Sequence, residues 1–384
     1  MRINFIGSIF GKSGYDVHSR SLSNALCNIG CDVRLETQLP KGWERLVNDN
    51  ELSMIKKPFD SNCVTVMIAQ PQFWNLGLAQ RPKKFYGFCV WEGDKIPTYW
   101  IKHLMDDRVD KILVPSAHTF SAIIKTFEDW AQNIYEKNKN QRAFKKRDVI
   151  ISTVINKTEI VPHGFDSKIF YKEKVKKVDD FVFIANKGWS QGMNDRGGLQ
   201  FLFKAFNEEF KKKEKVQLIV KINPVYNRPD WNIFNEMKAL KLRKNGGRIF
   251  TTTDLINDKS MRHFYNQGDV FISTSMADAY NLPHIESMAC GLPQIATKFG
   301  GQKDYIKEGY TGLLIKKGEY GHYSKEIAYE GIKWFKPDIQ DIRDKMRYAY
   351  ENHKEMKKMG QNALKVASDS HKWEDSAKKL RSLL

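Results

Sequence analysis

The chain has 384 residues, a hydrophobic fraction of 41% and a formal net charge of +18. That length suits two domains of about 150 to 200 residues, and no apolar run approaches the roughly 18 residues of a membrane span. Five cysteines, Cys27, Cys31, Cys63, Cys89 and Cys290, show neither a CxxC pair nor scaffold density, which argues against a disulfide-held fold and suits reduced thiols in a cytoplasmic protein.

The positive charge comes from scattered lysines with denser groups at Lys145 to Arg147, Lys172 to Lys177 and Lys211 to Lys215. Such a field attracts nucleic acid, an anionic membrane surface or a negatively charged substrate. A solvated Lys-rich surface explains it equally well, because the groups carry no interleaved aromatics. Charge alone names no partner.

In chain order, RINFIG at the N-terminus reads as a buried strand with no secretory signal before it. Tyr15 to Gly30 carries Val17, Leu22, Ala25, Leu26 and Ile29 at helical spacing, Gly30 stops that helix, and CDVRLET resumes as a strand. Strand-like runs recur as VTVMIAQ from Val64, FYGFCVW from Phe85, KILVPS from Lys111 and TEIVPHG from Thr158. Gln132 to Asp148 is a polar excursion with helical character. After the charged stretch Lys172 to Asp180, read as a linker, the alternation restarts with FVFIAN from Phe181, VQLIVKI from Val216, RIFTTT from Arg248, VFISTS from Val270 and PQIAT from Pro293. The tail from His371 is amphipathic, with Trp373, Ala377, Leu380 and Leu383 on one side. Alternating strands and helices predict an α/β chain with two Rossmann-like domains of parallel sheet facing across a cleft. The expected domains are 1–175, 176–365 and a C-terminal helix in 366–384 that returns to the first.

The loop GSIFGKSGYDVHSR joins the first strand to its helix. A P-loop needs four residues between its first Gly and Gly-Lys-Ser, whereas Gly7 and Gly11 enclose three, and the glycines do not fit GxGxxG either. The helix N-terminus still offers free N–H groups to an anion.

The richest segment is STSMADAYNLPHIESMACGLPQIATKFGGQKDYI, Ser273 to Ile306. It places Asp278 in a loop after a buried strand, Pro283 at the start of a short helix, Glu286 within the helix and Gly291 at its end. Amides near Asn281 and Leu282 are placed for a phosphate oxygen, and carboxylates suit sugar hydroxyls. From spacing alone, a capped helix with surface acids explains the pattern as well.

DAYNLPHIESMACGLPQIAT resembles the signature of retaining glycosyltransferases of the GT-B fold, family 4, whose frame reads EGFGLPxLEAMACGxPVIAT. The downstream Gly300-Gly301 and GYTGLLI, together with FCVWEGDKIPTYW, VPSAHTFSAII, IVPHGFDSKIF and HKWEDSAKKL, are similar to further landmarks of that family in the same order. The resemblance implies a nucleoside-diphosphate-sugar donor, UDP- or GDP-linked, with no metal or other cofactor required. The acceptor would be a hydroxyl of a glycan, lipid carrier or other molecule. Cysteine usage suits a cytoplasmic enzyme, and an anionic membrane surface at the inner face is a partner that the basic N-terminal half admits.

Carried over by residue, the resemblance assigns Glu286 to the donor ribose, Asp278 to the donor sugar, and the backbone at Asn281 and Leu282 to sugar and diphosphate. Ser13 and Gly14 stand where the family's Gly-Gly approaches the diphosphate. Arg196, before Gly197, fits the second member of a basic pair, while Asn186 stands where an Arg is expected and Lys187 supplies the charge. Asp278 is one methylene shorter than the usual Glu, a difference in reach of about 1.5 Å. Catalysis in such enzymes is positioning plus stabilisation of the departing diphosphate by Arg196, Lys187 and amide dipoles. Glu92 is the acceptor-side candidate for the catalytic set, with Trp91, His163 and His18 as further acceptor-side residues. Two other readings stay open: a nucleic-acid-binding protein, from the charge, and an NAD-dependent oxidoreductase, for which Glu36 lies about 20 residues after Gly14.

Overall fold

The computed structural model describes the chain except for residues 38–46, 139–140 and 224–230, and describes no side chains within 137–146. Two compact units emerge: Met1–Gly164 with Lys325–Ile332 and Trp373–Leu384, and Phe165–Ser324 with Lys333–Lys372. The division falls at Gly164 where the sequence places it after 175, and the tail changes unit at Trp373 where it places the change at 366. The stretch read as a linker belongs to the second unit because its charges are paired there. Glu173 accepts from Arg262 at 3.0 Å, and Lys177 reaches Asp269 at 2.7 Å.

The first unit runs β1 (Arg2–Ile6), α1 (Gly14–Asn28), β2 (Asp32–Glu36), α2 (Asp49–Lys56), β3 (Val64–Ile68), α3 (Trp74–Leu78), β4 (Lys84–Phe88), α4 (Ile101–Leu104), β5 (Lys111–Val114), α5 (Ala117–Asn138), α6 (Gln141–Lys157) and β6 (Thr158–Ile160). Its six strands pair in parallel in the order β2-β1-β3-β4-β5-β6.

The second unit contains β7 (Phe181–Gly188), α7 (Leu199–Glu209), β8 (Val216–Asn223), α8 (Ile233–Ala239), β9 (Arg248–Thr252), α9 (Asp258–Gln267), β10 (Val270–Ser273), α10 (Leu282–Ala289), β11 (Gln294–Thr297), β12 (Gly312–Ile315), β13 (Gly318–Gly321), β14 (Trp334–Pro337), α11 (Ile339–Glu351) and α12 (His353–Ser370). Its parallel sheet has the order β12-β11-β10-β7-β8-β9, and β13 and β14 form a separate antiparallel pair. The last helix, α13 (Trp373–Arg381), packs on α1 in the first unit, where Ser376 donates to the Pro162 carbonyl at 2.5 Å.

Both sheets are doubly wound, but their strand orders differ. Renumbered from its own first strand, the second sheet follows the dinucleotide-fold order 3-2-1-4-5-6, whereas the first begins 2-1-3-4-5 as in flavodoxin-like folds. The order therefore reverses between β7 and β10 in one unit and between β1 and β3 in the other. Ligands of open α/β sheets bind beyond the carboxyl ends of strands at such points.

The apolar runs make these strands because both faces are covered. Along β7, Phe181, Phe183 and Ala185 enter one core with Leu202, Phe203 and Phe206 of α7, while Val182 and Ile184 are buried on the other face. A strand buried on both faces reads as a continuous apolar run rather than an alternating one. No helix among the described residues is long and apolar enough to cross a membrane.

Candidate functional site

The carboxyl ends of β7 and β10 bring together the residues on which the second unit's chemistry rests. Lys187 closes β7, and its ammonium pairs with the Asp278 carboxylate, with their side chains 16% and 15% exposed. Arg196 lies 4.0 Å from the other Asp278 oxygen and donates to the Ala277 carbonyl at 2.9 Å. Burial pushes the Asp278 carboxyl up, but the charges of Lys187 and Arg196 and the hydrogen bonds from Lys187 and Ser275 outweigh it, so it lies below its ordinary value. Two cations and one carboxylate leave a net positive charge at this strand end. Arg196 retains 39% of its side-chain exposure.

The loop that carries Arg196 is organised by Asp195. One Asp195 oxygen accepts from the amides of Ser190 and Gln191 at 2.7 and 3.0 Å, and the other accepts from Gly197 at 2.7 Å. Gly198 then begins α7 with φ +78°, and a Cβ there would lie 2.0 Å from the Thr274 carbonyl oxygen. Only glycine fits that approach. Thr274 returns the contact by donating to the Gly198 carbonyl at 2.8 Å, and the Met276 amide donates to the Arg196 carbonyl at 2.9 Å. The segment before α7 is thereby fastened to the segment after β10.

Asp278 is braced from the far side as well. The Gly301 amide donates to its carbonyl at 2.9 Å, and Gly300, at φ +95°, passes so close that a Cβ would meet that oxygen at 2.5 Å. The chain then turns through Asn281, a non-glycine residue at φ +70° that caps α10. The Tyr305 hydroxyl donates to the carbonyls of Tyr280 and Asn281 at 2.6 and 3.0 Å, which holds this turn. Asn281 and Leu282 therefore sit at the mouth of α10. Glu286, farther along the helix, accepts from the Tyr265 hydroxyl at 2.7 Å, and burial pushes its carboxyl up to about 7. His284 faces inward against Gln294, and burial pulls its imidazole down to about 4.

The predicted residues of the first unit are placed differently. Ser13 is the N-cap of α1 in a capping box with Asp16, and the Ser8 hydroxyl joins the same carboxylate. A Cβ on Gly14, the first helical residue, would meet nothing within 4 Å.

His18 and His163 form a buried aromatic cluster with Phe88 and Trp373, 1% and 5% exposed and 4.1 Å apart between ring centroids. Burial drives both imidazoles well down, His163 to about 3. They are neutral packing groups in place of the acceptor-facing residues that the sequence suggested. Trp91 is also corrected. It is 2% exposed, stacks on Tyr329, packs edge-on against Trp100 and donates its indole N–H to the Lys95 carbonyl at 2.6 Å, so it offers no free face to a sugar ring. Glu92 is partly exposed and accepts from the Tyr329 hydroxyl at 2.5 Å.

Three contributors escaped sequence reasoning. Asp195 had a signal, since Asx side chains preceding glycines organise turns through nearby amides. Tyr265 and Tyr329 had none, because their partners Glu286 and Glu92 are 21 and 237 residues away in sequence.

The fold matches, over all of this chain, a sucrose-phosphate synthase from Thermosynechococcus elongatus (TM-score 0.63, 15% identity, 98% of that chain). It matches equally completely the Anabaena protein HepE solved with UDP-glucose (TM-score 0.66, 14% identity, 99% of that chain). The architecture is GT-B. Residues 193–329 match the family described as Glycosyl transferases group 1.

Among curated proteins it is 23% identical to a probable sucrose-phosphate synthase of Thermosipho melanesiensis, over 60% of this chain and 47% of that protein. It is 23% identical to a D-inositol 3-phosphate glycosyltransferase of Paenarthrobacter aurescens, over 51% and 47%. The aligned region spans about half the length of these relatives.

Proposed function

We propose that the protein is a nucleotide-sugar-dependent glycosyltransferase that moves a sugar, with retention of anomeric configuration, from a nucleoside-diphosphate donor to an acceptor hydroxyl. The observation that carries this reading is the joint placement of Lys187, Arg196 and Asp278 at the point where the second sheet reverses its order, with Glu286 on the helix that follows. A leaving diphosphate needs positive charge fixed in advance, because donors already oriented cost no reorganisation as charge develops. Lys187 and Arg196 supply it, aided by the amides at the start of α10. Asp278 holds Lys187 in place and offers its remaining acceptor capacity to sugar hydroxyls. Glu286 takes the ribose diol, and Ser13, Gly14 and Glu92 keep the roles that the family resemblance implies.

The donor class, UDP- or GDP-linked, is supported by relatives such as HepE, which was solved with UDP-glucose. The acceptor class is a glycan or lipid-linked hydroxyl, and for the latter the +18 charge favours an anionic membrane surface. Release of nucleoside diphosphate from a panel of UDP- and GDP-sugars, measured with and without Asp278→Asn, tests the reading. Turnover of at least one donor that collapses in the variant is expected. Absence of turnover and of nucleotide binding across the panel would overturn it.

A further inference from the structure

Behind Glu286 lies a chain of three side chains from three elements. Asn186, near the end of β7, donates from Nδ2 to the Tyr265 hydroxyl at 3.1 Å, and Tyr265 on α9 donates to Oε2 of Glu286 on α10 at 2.7 Å. With Glu286 ionised the direction is set, because an amide nitrogen only donates, a hydroxyl has one proton and a carboxylate only accepts. The Tyr265 ring is 0% exposed and packs edge-on against Phe170 and Phe271 at 5.8 and 5.9 Å, so its hydroxyl is carried on a rigid mount. Among the described residues the second Glu286 oxygen, Oε1, takes no hydrogen bond. One oxygen is pinned and the other is presented.

We infer that Tyr265, braced by Asn186, is a positioning residue that orients the Glu286 carboxylate and leaves Oε1 for the ribose diol of a bound nucleotide. This rests on the donor-binding reading of Glu286 and adds a device to it. It also gives Asn186 a purpose: at the position where the family resemblance expects a cation, a neutral amide reaches sideways to the tyrosine.

The same hydroxyl sets when Glu286 is ionised. Burial pushes the carboxyl up, the Tyr265 hydrogen bond pulls it down, and the Asp258 charge on α9 pushes it up. The other titratable groups coupled to it are Tyr265 itself, Cys290 at the end of α10 and Tyr305 beyond β11, each raised first by burial and further by Glu286. A ribose diol donates to a carboxylate better than to a carboxylic acid, so nucleotide affinity rises with pH as Glu286 ionises.

The test is calorimetric titration of the full chain with UDP, GDP and ADP between about pH 5.5 and 8.5, using wild type, Tyr265→Phe, Asn186→Ala and Glu286→Gln. Wild-type affinity for at least one nucleotide is expected to climb with a component centred near 7. Tyr265→Phe moves that component up by about one pH unit, which appears as a roughly tenfold loss at the acid end that narrows to about fivefold at neutral pH and closes at the alkaline end. Asn186→Ala moves it the same way by less, and Glu286→Gln lacks the component.

Equal loss at every pH, or wild-type behaviour in Tyr265→Phe, overturns the inference. If no nucleotide binds wild type, the donor reading fails by itself. The relay is then judged by carboxyl 13C NMR titration of Glu286 in the ligand-free chain, where an unchanged midpoint in Tyr265→Phe rejects it and a raised one sustains it.

Discussion

The loops that follow the first strand of each sheet, 7–13 in the first unit and 189–198 in the second, occupy the same place in two doubly wound folds and are built for opposite purposes. Each is organised by one carboxylate, Asp16 or Asp195, that gathers nearby amides and hydroxyls. In the first unit the result is a capped helix start, where a Cβ on Gly14 would meet nothing within 4 Å. In the second it is a locked one: Gly198 is pressed against the Thr274 carbonyl, and Lys187 and Arg196 are delivered to Asp278. His18 and His163 of the first unit lie neutral in an aromatic cluster, whereas the second unit concentrates fixed charge at its strand ends. A loop after the first strand thus recurs in both sheets despite their different strand orders, and the residues after the strand decide whether it delivers fixed charge.

The largest effect is expected from Asp278→Asn, which keeps the shape but strips Lys187 of its counter-charge and removes a sugar contact. Donor turnover should fall by about 10²–10³-fold, the scale for losing one preorganised polar group in an active site. An equivalent charge-neutralising change of Glu92 to Gln should cost less. If it costs more, the contrast between the units is misplaced.

Next in size is the glycine pair. Gly198→Ala adds a left-handed backbone penalty and a clash with a carbonyl, and should lower stability by roughly 2 kcal/mol or more in thermal unfolding. Gly14→Ala should change stability by less than about 1 kcal/mol, because its Cβ enters open space. Comparable losses at the two positions would erase the distinction between the loops.

A third contrast is read in the pH dependence of melting. Burial first, and for His18 also the neighbouring His163, holds the folded imidazoles below their unfolded value of 6.5. The unfolded chain then binds the extra protons, so this stability is full above 6.5 and is lost as pH falls toward 3. Glu286 works in the reverse sense. Its folded value of about 7 exceeds the ordinary 4.5, so its contribution is best below 4.5 and declines as pH rises through that interval. His18→Phe combined with His163→Phe should flatten the acid limb, and Glu286→Gln should remove a decline between 4.5 and 7.

Much of this was legible in the sequence for physical reasons. Strands buried on both faces write themselves as apolar runs, and β3, β4, β5, β7, β8, β10 and β11 coincide with such runs, whereas the edge strand β9 is half exposed. The carboxylates Asp278 and Glu286 were legible because a strand end, a turn and a short helix are consecutive in the chain. Strand order was not, since it depends on which strands pair, and neither was the transfer of Lys325–Ile332 to the first unit. There Tyr329 stacks on Trp91, a contact without local periodicity, and this is also why the sequence offers Trp91 as an acceptor-side residue when it is buried. The buried state of His18 depends on Trp373, far along the chain, and no helical spacing encodes it.

The most direct test of the central claim is a thermal-shift panel of UDP, GDP, ADP, NAD and a short DNA duplex on wild type and Glu286→Ala. A ligand at about 100 times its Kd adds roughly 2.7 kcal/mol of stability, enough for a readable shift. One nucleoside diphosphate should raise the melting temperature of wild type, and Glu286→Ala should lose that response. A shift with only NAD or DNA, equal in the two proteins, would contradict the assignment of the β7–β10 site to a nucleotide-sugar donor.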